Sequence, residues 1–122
     1  MSRCIMVVDD DMMNLKMADF ILKQCDYETI LSSSGADALE KMKTMHVDLV
    51  LLDIEMPEMN GLETFKYLML DYIDIPVVFL TASEDPENEM EAVGLGAADY
   101  IKKPFMPQDL LSRVAKVFSD NS

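Results

Sequence analysis

An α/β fold, with a parallel sheet covered by helices on both faces, is what this sequence predicts, on three observations. Apolar strand-like runs alternate with helix-periodic segments, the pattern of successive βα units. The runs "MVV", "LVLL" and "VVFL" are unbroken rather than alternating, as expected of strands buried on both faces. Polar residues that can do chemistry recur where these runs stop, and right-handed crossovers bring all such stops to one edge of the sheet.

Each element follows from its own pattern. "CIMVV" (4–8) is a short β-branched run, and "NLKMADFILKQC" (14–25) carries Leu15, Ala18, Ile21, Leu22 and Cys25 at helical spacing. "YETIL" (27–31) reads as strand; "GADALEKMKTM" (35–45) places Ala38, Leu39, Met42 and Met45 on one helical face. "DLVLLD" (48–53) is strand, "GLETFKYLML" (61–70) helix and "PVVFLT" (76–81) strand. A helix around 87–94, a strand "DYIKK" (99–103) and a helix "QDLLSRVAKVF" (108–118) complete a (βα)5 series. There are no repeats or linkers, so residues 1–122 are expected to form a single domain.

Composition bounds the function. Half of the chain is apolar, yet no run approaches the roughly 18 residues of a membrane span. "MSRCIMVVDDD" ends its apolar stretch in three acids, unlike a signal peptide, so a cytoplasmic protein is expected. The net charge of −13 disfavours direct contact with nucleic acid or anionic membrane. Cys4 and Cys25 match no disulfide framework or metal motif and are read as core thiols. The twelve methionines are read as core filler, including those at 12–13 and 56–59, and His46 as solvated.

The strand ends carry the functional signal. Strand one ends in Asp9 and Asp10, strand three in Asp53, strand four in Thr81 and strand five in Lys103. Ligands of open α/β sheets bind outside these carboxyl ends. Two unit charges some 4–5 Å apart repel by roughly 3–4 kcal/mol at an effective dielectric of 20. Three acids placed together therefore raise one another's pKa or bind a cation, and all-oxygen ligation suits Mg2+ better than Zn2+. Asp11 is read as starting the first helix, where an acid is favoured.

Taken in order, "VVDDD" at 7–11, "LDIEMPEMNG" at 52–61, "LTA" at 80–82 and "GAADYIKKPF" at 96–105 resemble the response-regulator receiver domain of two-component signalling, of the chemotaxis-regulator type. The resemblance covers roughly residues 3–118. It implies a flavodoxin-like, doubly wound five-stranded sheet of order 2-1-3-4-5. It also implies that Asp53 accepts a phosphoryl group from a histidine kinase or phosphotransfer protein, with slow self-dephosphorylation rather than enzymatic turnover. By the same resemblance Asp9, Asp10, Asp53 and the Glu55 backbone carbonyl hold Mg2+, with Mn2+ as a substitute. Thr81 and Lys103 hold the phosphoryl oxygens. The residues alone leave Lys102 and Lys103 open; the family motif, with its lysine immediately before proline, selects Lys103. The Lys103–Pro104 bond is implied to be cis. Thr81 and Tyr100 form the implied switch, and Glu55 and Ser83 the positions that tune phosphoryl lifetime by governing access of water. The implied output is a changed face of the fourth helix, fifth strand and fifth helix, toward an effector, an output domain or a second copy in a homodimer.

Two rivals are weaker. A phosphohydrolase of the haloacid dehalogenase type would place a second aspartate two residues after the nucleophile, where Glu55 stands, and would need a cap domain. A flavin carrier would need a hydroxyl- and glycine-rich loop after the first strand, where three acids stand instead. The kinase and the output are not encoded in any residue pattern of the chain.

Overall fold

The computed structural model describes residues 2–56, 60–82 and 94–120. Five strands, β1 (Cys4–Val8), β2 (Glu28–Ser32), β3 (Leu49–Asp53), β4 (Val77–Thr81) and β5 (Asp99–Lys102), form one sheet in the order β2-β1-β3-β4-β5. Every neighbouring pair is parallel. The expected (βα)5 sheet and its order are therefore present. The helix expected around 87–94 lies, apart from Gly94, outside the described residues.

Alternate residues of each central strand feed two separate cores, which is why their sequences read as unbroken apolar runs. Ile5, Val7, Leu49, Leu51, Val78 and Leu80 face helix α1 (Met12–Lys23) and the C-terminal helix (Pro107–Asp120). Met6, Val8, Val50, Leu52, Val77 and Phe79 face helices α2 (Gly35–Met42) and α3 (Gly61–Asp71). On that second face the Phe65 and Phe79 rings meet edge to face at 5.1 Å.

Side-chain caps set where the helices begin. Asp11, Ser34 and Asn60 accept hydrogen bonds from Met13, Asp37 and Glu63 backbone N–H groups at 2.9, 3.1 and 2.9 Å. Each satisfies a donor that the first helical turn cannot. The Asp11 cap starts α1 two residues earlier than its apolar spacing implies.

The same helix ends at Lys23, and the chain then turns through Asp26 at φ 64 to enter β2. Cys25 is consequently outside the helix and exposed, which corrects its reading as a core thiol; Cys4 is buried. Helix α2 likewise stops at Met42, where i−3 hydrogen bonds from Lys43 and Thr44 tighten its end, leaving Met45 exposed. Reading the methionines as core filler is right for Met6, Met42 and Met56. It is wrong for Met12, Met13, Met17 and Met106, which are exposed. Helical spacing cannot distinguish the buried stripe from the outer one when both are apolar.

Candidate phospho-acceptor site

β1, β3 and β4 pair in register, so their C-terminal ends lie side by side on one edge. Asp9 immediately follows β1, Asp53 closes β3, Thr81 closes β4, and Lys103 follows β5. All but Lys103 are buried to within 2 % of full enclosure, whereas Asp10 is exposed. Backbone donors fix the acids in place: Asp11 N–H donates to Asp9 Oδ1 at 2.9 Å, and Glu55 N–H to Asp53 Oδ1 at 3.2 Å.

The Lys103 ammonium lies 2.6 Å from Asp9 Oδ2 and 3.3 Å from Asp53 Oδ1. Lys102 is exposed, so the tertiary structure brings only the second lysine of "KKP" to the acids. The Lys103–Pro104 peptide is cis. The contact to Asp9 is an ion pair. Asp9 Oδ2 is otherwise a buried oxygen without a hydrogen-bond donor. Distance decides the Coulomb attraction, and it is present; the lone pair remains available.

Asp9, Asp10 and Asp53 each present a carboxylate oxygen within 4.8 Å of the other two, the geometry of a metal-binding cluster. One ammonium does not neutralise three carboxylates. An unsatisfied buried oxygen, an all-oxygen donor set and an exposed third acid open to water together fit a hard divalent cation. Burial is the main force lifting the Asp53 carboxyl to about 7; the Asp9 charge adds to it and Lys103 opposes it. Burial pulls the Lys103 ammonium down, but the two acids more than offset this and its pKa is raised.

The Asp53 shift has a testable consequence for stability. Unfolded, the carboxyl loses its proton near pH ~3.9; folded, it keeps it until about pH 7. The folded state binds more protons across that window, so stability falls as pH rises through it. Asp53→Asn is expected to match wild type near pH 4 and to exceed it by roughly 4 kcal/mol at pH 8 in chelator. Urea midpoints measured across this range check it, and a pH-independent difference between the two proteins would contradict it.

Three expectations meet the structure differently. Ser83 lies outside the described residues. Glu55, a position expected to govern access of water, is exposed and also accepts a 2.6 Å hydrogen bond from Thr81 Oγ1. Tyr100, expected in the switch, is only 9 % exposed and packs into the α2/α3 core. The Glu55–Thr81 bond was not legible beforehand; an acid two residues after a strand-end aspartate is the only signal for it. His46 is exposed, with a ring nitrogen 2.8 Å from Asp48. A separate concavity of about 750 Å³, lined by Arg3, Lys23, Cys25, Tyr27 and Phe118 among others, opens at the amino ends of β1 and β2 and holds none of the site residues.

With this geometry in view, comparison with known families is decisive. The response regulator receiver domain model matches residues 5–115. The chain belongs to that family.

Among curated relatives of this receiver domain is the transcriptional regulatory protein CrdR of Helicobacter pylori, 36 % identical over 122 residues, covering 99 % of this chain and 57 % of CrdR. Another is the DNA-binding response regulator MtrA of Mycolicibacterium paratuberculosis, 38 % identical over 114 residues, covering 93 % of this chain and 50 % of MtrA. The chain thus spans about half the length of these relatives. Among solved structures, chemotaxis protein CheY4 of Vibrio cholerae superposes with a TM-score of 0.91 at 29 % identity, covering 96 % of this chain and 99 % of that one. A CheY-like receiver domain protein of Methanospirillum hungatei gives 0.94 at 27 % identity, covering 99 % and 97 %. Response regulators of two-component systems accept phosphate from histidine kinases, and receiver domains of this family typically act in signalling.

Proposed function

We propose that the chain, as a single receiver domain over residues 1–122, accepts a phosphoryl group on Asp53 from a phosphohistidine of a histidine kinase or phosphotransfer protein. The observation that carries this reading is Asp53, buried at a strand end, sharing the Lys103 ammonium with the Asp9 carboxylate. An Asp53 carboxylate oxygen attacks phosphorus, the P–N bond breaks, and its electron pair returns to the donor imidazole. The strand holds the nucleophile still, which is the orientation control that such a transfer needs. Mg2+, or Mn2+ in its place, held by Asp9, Asp10, Asp53 and the Glu55 carbonyl, would neutralise charge that develops on the phosphoryl oxygens.

In that reading the Lys103 ammonium pairs with one phosphoryl oxygen and the Thr81 hydroxyl donates to another. Water removes the phosphoryl group slowly, at a rate set in part by Glu55 and Ser83, so the domain is an acceptor rather than a turnover enzyme. Tyr100 already packs inward, so the switch is a change in how fully that position is populated. Its readout is the face of β5, the C-terminal helix and the segment between β4 and β5, offered to an effector, an output domain or a second copy. The setting is the cytoplasm. Among the described residues no helix is long and apolar enough to cross a membrane.

Exposed apolar side chains border the site: Met12 and Met13 begin α1 just after the acids, and Met106 lies three residues past Lys103. They support a protein donor rather than a small molecule alone, since exposed apolar surface favours association. The dehalogenase-like alternative is not favoured, because the position its second acid would occupy holds Glu55, engaged with Thr81.

The metal assignment is tested by titration. Mg2+ is expected to shift amide NMR signals around residues 9, 10 and 53 of the wild type, and Asp10→Ala to weaken that binding at least tenfold. Asp10 is exposed, so its loss leaves the fold intact. An unchanged titration would remove Asp10 from the site.

A further inference from the structure

Thr81 is fully buried at the end of β4, and its Oγ1 donates a hydrogen bond to Glu55 Oε1 at 2.6 Å. The acceptor belongs to a loop that Asp53 itself folds back, through the Glu55 N–H on Asp53 Oδ1. A hydroxyl bonded to a carboxylate makes a charge-assisted contact, among the stronger hydrogen bonds a protein contains. The negatively charged oxygen that engages Thr81 here is thus a protein carboxylate, two residues from the proposed phospho-acceptor. The aromatic half of the proposed switch agrees with this. Tyr100, paired with Phe79 across β4 and β5, lies inward at 9 % exposure.

We propose that Glu55 is a positioning residue, a built-in stand-in for a phosphoryl oxygen. It holds the Thr81 hydroxyl turned to the Asp53 side and thereby favours the inward Tyr100. This inference rests on the phospho-acceptor reading for its meaning, but the Glu55–Thr81 coupling is measurable without any phosphoryl group. Two consequences follow. The unmodified protein carries a raised population of the switched arrangement, and an arriving phosphoryl group must take Thr81 from Glu55 before it can bond the hydroxyl itself. The residue then acts on the position of the switch through Thr81, beyond any effect on the attacking water.

The test is NMR of the Thr81 methyl group and the Tyr100 ring in wild type, Glu55→Ala and Glu55→Gln, each before and after Mg2+ with beryllofluoride. In the wild type, both signals are expected to lie close to their beryllofluoride-bound positions before the mimic is added. Glu55→Ala should move both away, lowering the inward population about tenfold, the scale of one lost hydrogen bond to a charged group. Beryllofluoride should restore them. Glu55→Gln keeps an acceptor oxygen but not its charge and should fall between wild type and Glu55→Ala, a graded response that a general loosening of the loop would not produce. Glu55 is exposed, so neither change endangers folding. Superposable Thr81 and Tyr100 signals in unmodified wild type and Glu55→Ala would overturn the proposal. A wild type whose Asp53 neighbours ignore beryllofluoride would overturn the phospho-acceptor reading instead, and the comparison of unmodified proteins would still decide the role of Glu55.

Discussion

Asp53→Asn and Asp53→Ala are expected to abolish covalent labelling by acetyl phosphate in the presence of Mg2+. The reason is chemical as well as geometric. An amide oxygen is a poor nucleophile, and alanine has none, so no acyl phosphate can form at the end of β3. Asp10 is exposed and turned to water rather than held by a strand. Asp9 is buried like Asp53, but its Oδ1 is held by the Asp11 N–H and its Oδ2 faces Lys103. Lys103→Ala should lose most of the labelling, on the order of 10²-fold or more, because a charge-assisted contact that strengthens in the transition state goes with it. It should retain metal. Lys102→Ala, on an exposed strand residue, should label like wild type. Mass spectrometry of the intact protein reads all four variants. Equal losses at the two lysines would show that the ammonium between Asp9 and Asp53 is not the one used.

Gly61→Ala is expected to cost about 3 kcal/mol of stability, as overpacking against rigid neighbours does, and to impair labelling with it. A Cβ at Gly61 would stand 2.2 Å from the Asp53 carbonyl oxygen and 2.6 Å from Ile54 Cα. Those neighbours are backbone and cannot rotate away. The Gly61 N–H also donates to Ile54 O at 2.9 Å, so α3 begins clamped against the residues that present the nucleophile. Relief of the clash must move either α3 or the end of β3. Gly94→Ala is the control, since nothing lies within 4 Å of a Cβ built there. Urea denaturation of both variants checks the prediction; equal stabilities would show that the α3 start yields at no cost.

Much of this was legible before any coordinates. Each strand end could be located because an apolar run stops there, and a parallel sheet with right-handed crossovers leaves one place for all such ends to meet. Asp9, Asp53 and Thr81 were found in that way, and Asp11 as a cap from its position before an apolar helical pattern. Helix ends were less legible. Residues 24 and 25 continue the helical pattern, yet the turn at Asp26 overrides it, because the chain must reverse to enter β2 beside β1.

By itself, the sequence determined the order of elements, the two buried faces of the sheet and the cluster of acids at its carboxyl edge. Apolar periodicity and strand-end chemistry are local properties, and they survive any rearrangement of side chains. Only the tertiary structure decided which lysine reaches the acids, why position 61 must be glycine, and that the Glu55 carboxylate holds the Thr81 hydroxyl. The two polar contacts join residues far apart in the chain at 2.6 Å, and a Cβ added at position 61 would stand 2.2 Å from the Asp53 carbonyl oxygen. Contacts that short depend on how far one strand end stands from the next, and on which way a loop folds over it. Residue order alone carries neither quantity.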